Sequence, residues 1–281
     1  MNKYQESIDA NIAVHSTMAN TYNQQEPHYR PESISRVENI VSKICKQHKV
    51  KDVLDLGCGT GFMIDILKNY VETITGVDVT QDMLDLVDQS GPAKINLINS
   101  DTGSIDLPSN HFDLATAYTF LDHLYDMIPT FENTYKALKE GGVFYADLSP
   151  NFYFWDAFKN LNPSNSYDSV VDRELKAVLE KDKEIEKEFG LSAEVFAKAE
   201  HQKHIKGGLI EEEMRNKLLN TGFKKVDFVY HWFVGQAEMI NNKNLDKKTS
   251  LLNAQMIHDS LIRCLPVSRN LFKYVGFIAY K

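Results

Sequence analysis

Three acids and three glycines carry the first chemistry in this chain: Asp55, then Gly57-Cys58-Gly59-Thr60-Gly61, then Asp78 and Asp101. A glycine-dense turn lets a ligand lie against the backbone, because residues without Cβ turn sharply and admit close approach. The helical pattern starting at Phe62 would aim unpaired N–H groups at that ligand. A carboxylate directly before the turn, Asp55, can meet a cationic amine. Asp78 follows the first glycine by about twenty positions, the spacing at which an acid on the next parallel strand accepts two ribose hydroxyls. It also suits the N-cap of a helix over 81–87. Asp101, as a lone acid in a loop, reads as a turn residue; it matters as the third member of an ordered series. His123 and His231 are candidates for proton transfer near neutral pH. His201 and His204 lack a cysteine or acid as third ligand, so no metal site is expected.

Those residues need elements to hold them. Val53–Leu56 reads as a buried strand and Phe62–Leu67 as a helix. Strands over 71–78, 94–99 and 112–118 follow, and Leu138–Gly142 reads as a helix end and glycine turn before a fifth strand. Strands alternating with helices through short turns give a parallel doubly wound sheet. In such sheets the residues just past the strand ends face the ligand crevice. Tyr118 and Phe120 should therefore edge it, with Asp122 and His123 at its mouth. Ahead of the sheet, helices are expected over 5–22 (Ile8, Ile12, His15, Ala19 and Tyr22 at helical spacing) and 33–46. Beyond the fifth strand the order breaks into an aromatic run, Asn151-Phe152-Tyr153-Phe154-Trp155. An amphipathic helix marked by Val171, Leu175, Val178, Ile185 and Phe189 comes next, with a charged face over 180–188. Residues 192–206 suit helix or strand. Helix 209–220, strand 225–233, a helical piece near 250–264 and strand 271–280 complete the chain.

Composition narrows the class. A hydrophobic fraction of 43% with 25% charged residues is that of an ordinary soluble protein. The net charge of -8 disfavours nucleic acid and anionic membranes as partners. Three scattered cysteines form neither a disulfide framework nor a zinc pattern and suit a reducing compartment. With no apolar leader or spanning stretch, a cytoplasmic location is expected.

Spacing separates two cofactor classes. The dinucleotide fingerprint G-x-G-x-x-G/A wants a small residue where this chain has Phe62. The Asp55–Gly61 stretch instead resembles the nucleotide-binding motif of class I S-adenosylmethionine-dependent methyltransferases, and the resemblance extends over about 33–148 and 209–281. It implies a Rossmann-like doubly wound α/β fold with seven strands and an antiparallel last strand. An N-terminal lid helix would occupy 1–32, the cofactor-binding domain 33–149 and 209–281, and an inserted substrate-covering cap 150–208. It further implies S-adenosyl-L-methionine as methyl donor, S-adenosyl-L-homocysteine as product, and a small-molecule acceptor methylated at O or N. Cofactor-binding positions would be Asp55, Gly57, Cys58, Gly59, Gly61, Asp78, Val79, Met83, Asp101, Thr102 and Tyr118, with Tyr29 and Arg30 ahead of them. His123, Tyr22 and His231 would serve the chemistry, and Tyr153 and Trp155 would wall the acceptor pocket. The chain would act as a monomer or homodimer. An NAD-dependent oxidoreductase and a non-catalytic cofactor-binding regulator are the alternatives.

Overall fold

The computed structural model describes residues 2–281, the side chains of residues 180–189 excepted. Helix α1 (Lys3–Gln25) is capped by the Asn2 side chain, which accepts from the Tyr4 N–H. A single 3-10 turn, Pro27–Tyr29, leads to α2 (Pro31–His48), where Pro31 occupies the first helical turn, in which no N–H is needed. There follow β1 (Asp52–Leu56), α3 (Phe62–Leu67), β2 (Thr73–Asp78), α4 (Gln81–Leu84), β3 (Lys94–Asn99) and β4 (Phe112–Tyr118). Next come α5 (Ile128–Ala137), β5 (Leu138–Pro150), α6 (Phe152–Lys159), α7 (Ser169–Phe189), α8 (Ala193–Ala199) and α9 (His201–His204). The chain closes with α10 (Glu211–Thr221), β6 (Lys225–Phe233), α11 (Gln236–Ile240), α12 (Lys247–Arg263) and β7 (Phe272–Tyr280).

The seven strands form one sheet in the order β3-β2-β1-β4-β5-β7-β6. Strands β1 to β5 run parallel, and β7 lies antiparallel between β5 and β6. Alternation along each strand splits the core into two layers. Leu54, Leu56, Phe112 and Phe144 face one side with Phe131 of α5 and Leu218 of α10. Val53, Ile74, Leu114 and Tyr145 face the other, beneath α2 and α3. The strand order reverses between β1 and β4, and their carboxyl ends open a crevice there.

The expected fold class holds, with local differences. Helix α4 stops at Leu84 rather than 87. The expected glycine turn before the fifth strand lies inside β5: Leu138 already pairs with Phe112, and Gly141 takes φ +77 within the strand. Residues 192–206, open between helix and strand, form α8 and α9. In α1 the buried stripe is Ser7, Ala10, Asn11, Val14, Met18 and Ala19, while Ile12 is exposed. Ala10, Val14 and Met18 pack against Phe196 and Ala199 of α8, so first helix and inserted segment form a small core of their own. Of the apolar positions expected along α7, Leu175 is buried against Phe154 and Phe158 with Val171 and Val178 beside it. Ile185, Phe189 and the charged face over 180–188 lie outside the described side chains.

Candidate active site

The glycine turn at the end of β1 is held by the neighbouring strand. The Gly57 and Cys58 N–H groups both donate to the Val77 carbonyl, at 2.8 and 3.1 Å. The Gly59 N–H donates to Asp78 Oδ2 at 2.9 Å, and the Thr80 N–H to Asp78 Oδ1 at 2.8 Å. Asp78 is thus oriented by backbone donors on both oxygens, and a carboxylate so held retains lone pairs for a ligand. A Cβ built on Gly59 would meet nothing within 4 Å, so the space over the turn is open. At Gly57 the opposite holds: a Cβ would fall 2.0 Å from Phe120 Cδ2 at a backbone φ of +64. The Phe120 ring closes directly onto that glycine.

Asp55 lies on β1 opposite Gly76 of β2, two residues before Asp78, so period-two alternation places both acids on one face of the sheet. Asp55 is only 1% exposed. Thr116 donates to its Oδ1 at 2.7 Å, whereas Oδ2 is buried with no partner. Burial, opposed by the Thr116 bond and reinforced by the charge of Asp78, raises its carboxyl to about 7. Burial also raises Asp78, against the pull of the Thr80 and Gly59 N–H groups. Asp55 thus keeps one buried oxygen without a partner beneath the glycine turn, while its side chain lines neither of the two cavities described below.

A cleft over the turn is lined by Gly57, Gly59, Asp78, Val79, Met83, Asp101, Thr102 and Phe120. Its roof is α1, through Tyr4, Ser7, Asn11, His15 and Tyr22. The Tyr4 hydroxyl donates to Asp101 Oδ2 at 2.6 Å, pinning the start of the helix to the third acid. The Thr102 hydroxyl is paired with Thr130 at 2.9 Å, which fixes the loop after β3.

A second cavity of about 320 Å³ adjoins the first. Both are lined by His15, Tyr22, Thr119 and His123, so these four residues form the wall between them. The second cavity is enclosed by Met18 and Glu26 from the first segment, Asp122, Phe196 and Glu200 of α8 and its end, Lys203 of α9, Trp232 of β6 and Tyr274 of β7. His123 Nδ1 donates to the Ala199 carbonyl at 3.1 Å and His15 Nδ1 to the Asn11 carbonyl at 2.9 Å. These bonds assign the ring hydrogens to Nδ1 and leave each Nε2 as an acceptor. The two rings meet edge to face at 4.9 Å. Burial lowers His15 to about 4, so it is neutral at physiological pH.

Several expected site residues lie elsewhere. Tyr118 lines neither cavity: it turns beneath α2, where it stacks on Phe62 and accepts from Arg36 Nη2 at 3.0 Å. Cys58 is buried with Sγ against Gly76, and Gly61 caps α3 with φ +94; neither side lines the cleft. The Tyr29 hydroxyl pairs with Thr60 at 2.6 Å and its ring packs on Phe62, supporting the turn from behind. Arg30 is exposed and borders a separate groove with Glu32 and Trp232, so it is not near the acids. His231 is buried at the far end of the sheet, its Nε2 3.1 Å from Asp147 Oδ2; Asp147 also takes Arg36 at 2.9 Å and the Tyr145 hydroxyl at 2.6 Å. That network is a structural knot between α2, β5 and β6. Tyr153 bonds Glu212 beneath the Arg269 guanidinium, and Trp155 joins the Phe154 cluster, so the aromatic run packs the base of the insertion instead of walling a cavity. His201 stacks on Tyr125 and His204 pairs with Glu200.

Sequence reasoning missed Tyr4, Asn11, His15, His28, Glu200, Lys203, Trp232 and Tyr274 as lining residues. Tyr4, Ser7, Asn11 and His15 did leave a signal: polar groups at spacings of three and four along a helix, a stripe that pays off only against a polar surface. Trp232 left none, because its inward turn comes from a left-handed backbone, φ +57, inside β6.

Residues 54–146 match the family model described as a methyltransferase domain. Among curated proteins, a ubiquinone biosynthesis O-methyltransferase from Coxiella burnetii is 29% identical over 108 residues, 37% of this chain and 46% of the relative. Another of that name from Hydrogenovibrio crunogenus is 23% identical over 161 residues, 54% of this chain and 66% of the relative. The chain thus spans about half the length of the curated relatives it matches first. Among solved structures, an S-adenosylmethionine-dependent methyltransferase from Clostridium acetobutylicum superposes with TM-score 0.54 at 15% identity, covering 94% of this chain and 97% of that one. One from Thermotoga maritima does so with TM-score 0.53 at 16% identity, covering 95% and 99%.

Proposed function

We propose that this chain, which carries the class I S-adenosylmethionine-dependent methyltransferase domain and its fold, transfers a methyl group from S-adenosyl-L-methionine to an O or N atom of a small-molecule acceptor. One observation carries the reading: an open glycine cleft ringed by Asp78 and Asp101 shares the wall His15, Tyr22, Thr119 and His123 with a roofed second cavity. A donor chamber and an acceptor chamber are arranged on either side of four residues.

The residues present fit the cofactor. Gly59 leaves the turn uncovered, and Asp55 Oδ2 is a buried carboxylate oxygen in need of a partner. Asp55 would take the amine, Asp78 the ribose hydroxyls, and Asp101 with the Thr102 backbone the adenine edge, while Val79 and Met83 pack on its face. When bound, the sulfonium supplies an electrophilic methyl group. Everything else asked of the protein is positioning and exclusion of water. Helix α1 serves as the lid, and α8 and α9 as the cap over the acceptor. For a hydroxyl acceptor, His123 Nε2 takes the proton, because its Nδ1 hydrogen is already committed to Ala199. Tyr22, held by Thr119, orients the acceptor at the boundary.

Calorimetry with S-adenosyl-L-homocysteine tests the assignment. Asp78→Ala abolishes binding; unchanged affinity refutes the ribose role. Equilibrium dialysis against NAD in parallel refutes the whole reading if NAD is retained and the methyl donor is not.

A further inference from the structure

The second cavity carries more information than its volume. Asp122 sits on the 3-10 turn Leu121–His123, directly past β4, and lines this cavity. It is 8% exposed, and its Oδ1 is buried with no hydrogen-bond partner. Its Oδ2 lies 4.0 Å from His123 Nε2, beyond hydrogen-bond reach. Two further carboxylates, Glu26 and Glu200, line the same space. Among the described lining residues Lys203 is the only lysine or arginine, and it is ion-paired with Glu200. Of the histidines lining the cavity, burial keeps His15 and His28 neutral, near 4 and 3, and His123 is the one that faces Asp122. Trp232 and Tyr274 add aromatic walls, meeting edge to face at 5.3 Å.

We propose that the acceptor is a cationic amine, recognised in the second cavity by docking of its ammonium group on Asp122 between the walls formed by Trp232 and Tyr274. A carboxylate occupant would meet an excess of negative charge. A neutral alcohol would leave a buried acid without a counter-charge, and a buried polar oxygen left unmet is costly. An ammonium group offsets the charge of the Asp122 carboxylate and gains from the aromatic faces. The cavity is at the small end of ligand pockets, which suits an amine with a single ring or short chain. The proposal rests on reading the neighbouring cleft as the cofactor chamber.

The test uses the full chain and three probes of one shape: phenethylamine, 2-phenylethanol and phenylacetate. S-adenosyl-L-homocysteine is titrated first, alone; its failure to bind overturns the reading of the cleft, whatever the probes do. Each probe is then titrated into protein saturated with the homocysteine product. Phenethylamine binds at least about tenfold tighter than the alcohol, and phenylacetate weakest. Asp122→Asn removes that preference while its product affinity matches the parent and it melts no lower than the parent. Equal binding of the three probes, a preference for the acid, or no binding of any probe overturns the proposal. So does an Asp122→Asn variant that loses affinity for S-adenosyl-L-homocysteine itself, since that outcome assigns Asp122 to the amine of the cofactor.

Discussion

Replacing Asp55 by Asn separates stability from binding in opposite directions. Burial raises the folded-state carboxyl from 3.8 to about 7. Between those values the folded protein holds a proton that the unfolded chain has released, so this group's contribution to stability falls as pH rises through the window and is fully unfavourable above about 7. At 1.36 kcal/mol per unit the charged form costs roughly 2–4 kcal/mol at pH 8, allowing for relaxation around the site. Asparagine keeps the shape and an oxygen for the Thr116 hydroxyl, 2.7 Å from Asp55 Oδ1, while discarding the charge. Thermal denaturation at pH 8 should therefore show the variant melting higher, by roughly 3–7 °C for a chain of this size, with the gap closing toward pH 4. Calorimetry at pH 8 should show the reverse benefit, with affinity for S-adenosyl-L-methionine reduced at least about tenfold. In the parent, affinity should fall about tenfold from pH 8 to pH 6 as the carboxylate is protonated, and in the variant it should stay flat. A variant that melts lower than the parent at pH 8, or a parent whose affinity ignores pH over this range, refutes the reasoning.

Other perturbations probe the surrounding parts. Gly57→Ala places a methyl group 2.0 Å from Phe120 Cδ2 on a left-handed backbone, which should cost about 1–3 kcal/mol in urea unfolding and remove product binding, as the ring must leave its seat. Tyr4→Phe deletes the 2.6 Å bond to Asp101; cofactor affinity should change by about threefold to tenfold with the melting temperature nearly constant, and proteolysis within the first 25 residues should quicken. His231→Asn weakens the contact at 3.1 Å with Asp147 and should lower stability by about 1–3 kcal/mol while leaving KM for the methyl donor unchanged; a loss of kcat with intact stability would return His231 to the chemistry.

Much of the fold was legible because it is written locally. Apolar runs with an acid at or near their end, each followed by a turn and a helix, mark β1 and β2, and the alternation of strands with helices dictates the parallel order. The cleft over the glycine turn was legible for the same reason: Gly57, Gly59, Asp78 and Asp101, which line it, are each placed by the strand that precedes them. Tyr118 was misplaced although the same rules apply, since counting alternate residues from Thr116 sends it beneath α2, where it meets Arg36. The second cavity was hidden. Glu200 and Lys203 come from the corner between α8 and α9, and Trp232 and Tyr274 from the distant strands β6 and β7, brought together by the packing of α1 on α8 and by the antiparallel pairing of β6 with β7. No spacing in the chain encodes that meeting. His231 and Trp232 show how narrow the margin is: neighbours on one strand, one enters a buried ionic knot and the other a cavity wall, decided by a single residue at φ +57.

The hydroxyl of Tyr4 touches Asp101 only two residues beyond the capping Asn2. Anything that loosens the first turn of α1 would thus bear upon the Asp101 end of the cleft before it disturbed the sheet. The helix end and the third acid are therefore coupled through one hydroxyl, and disorder in either should be felt by the other while the seven strands stay paired.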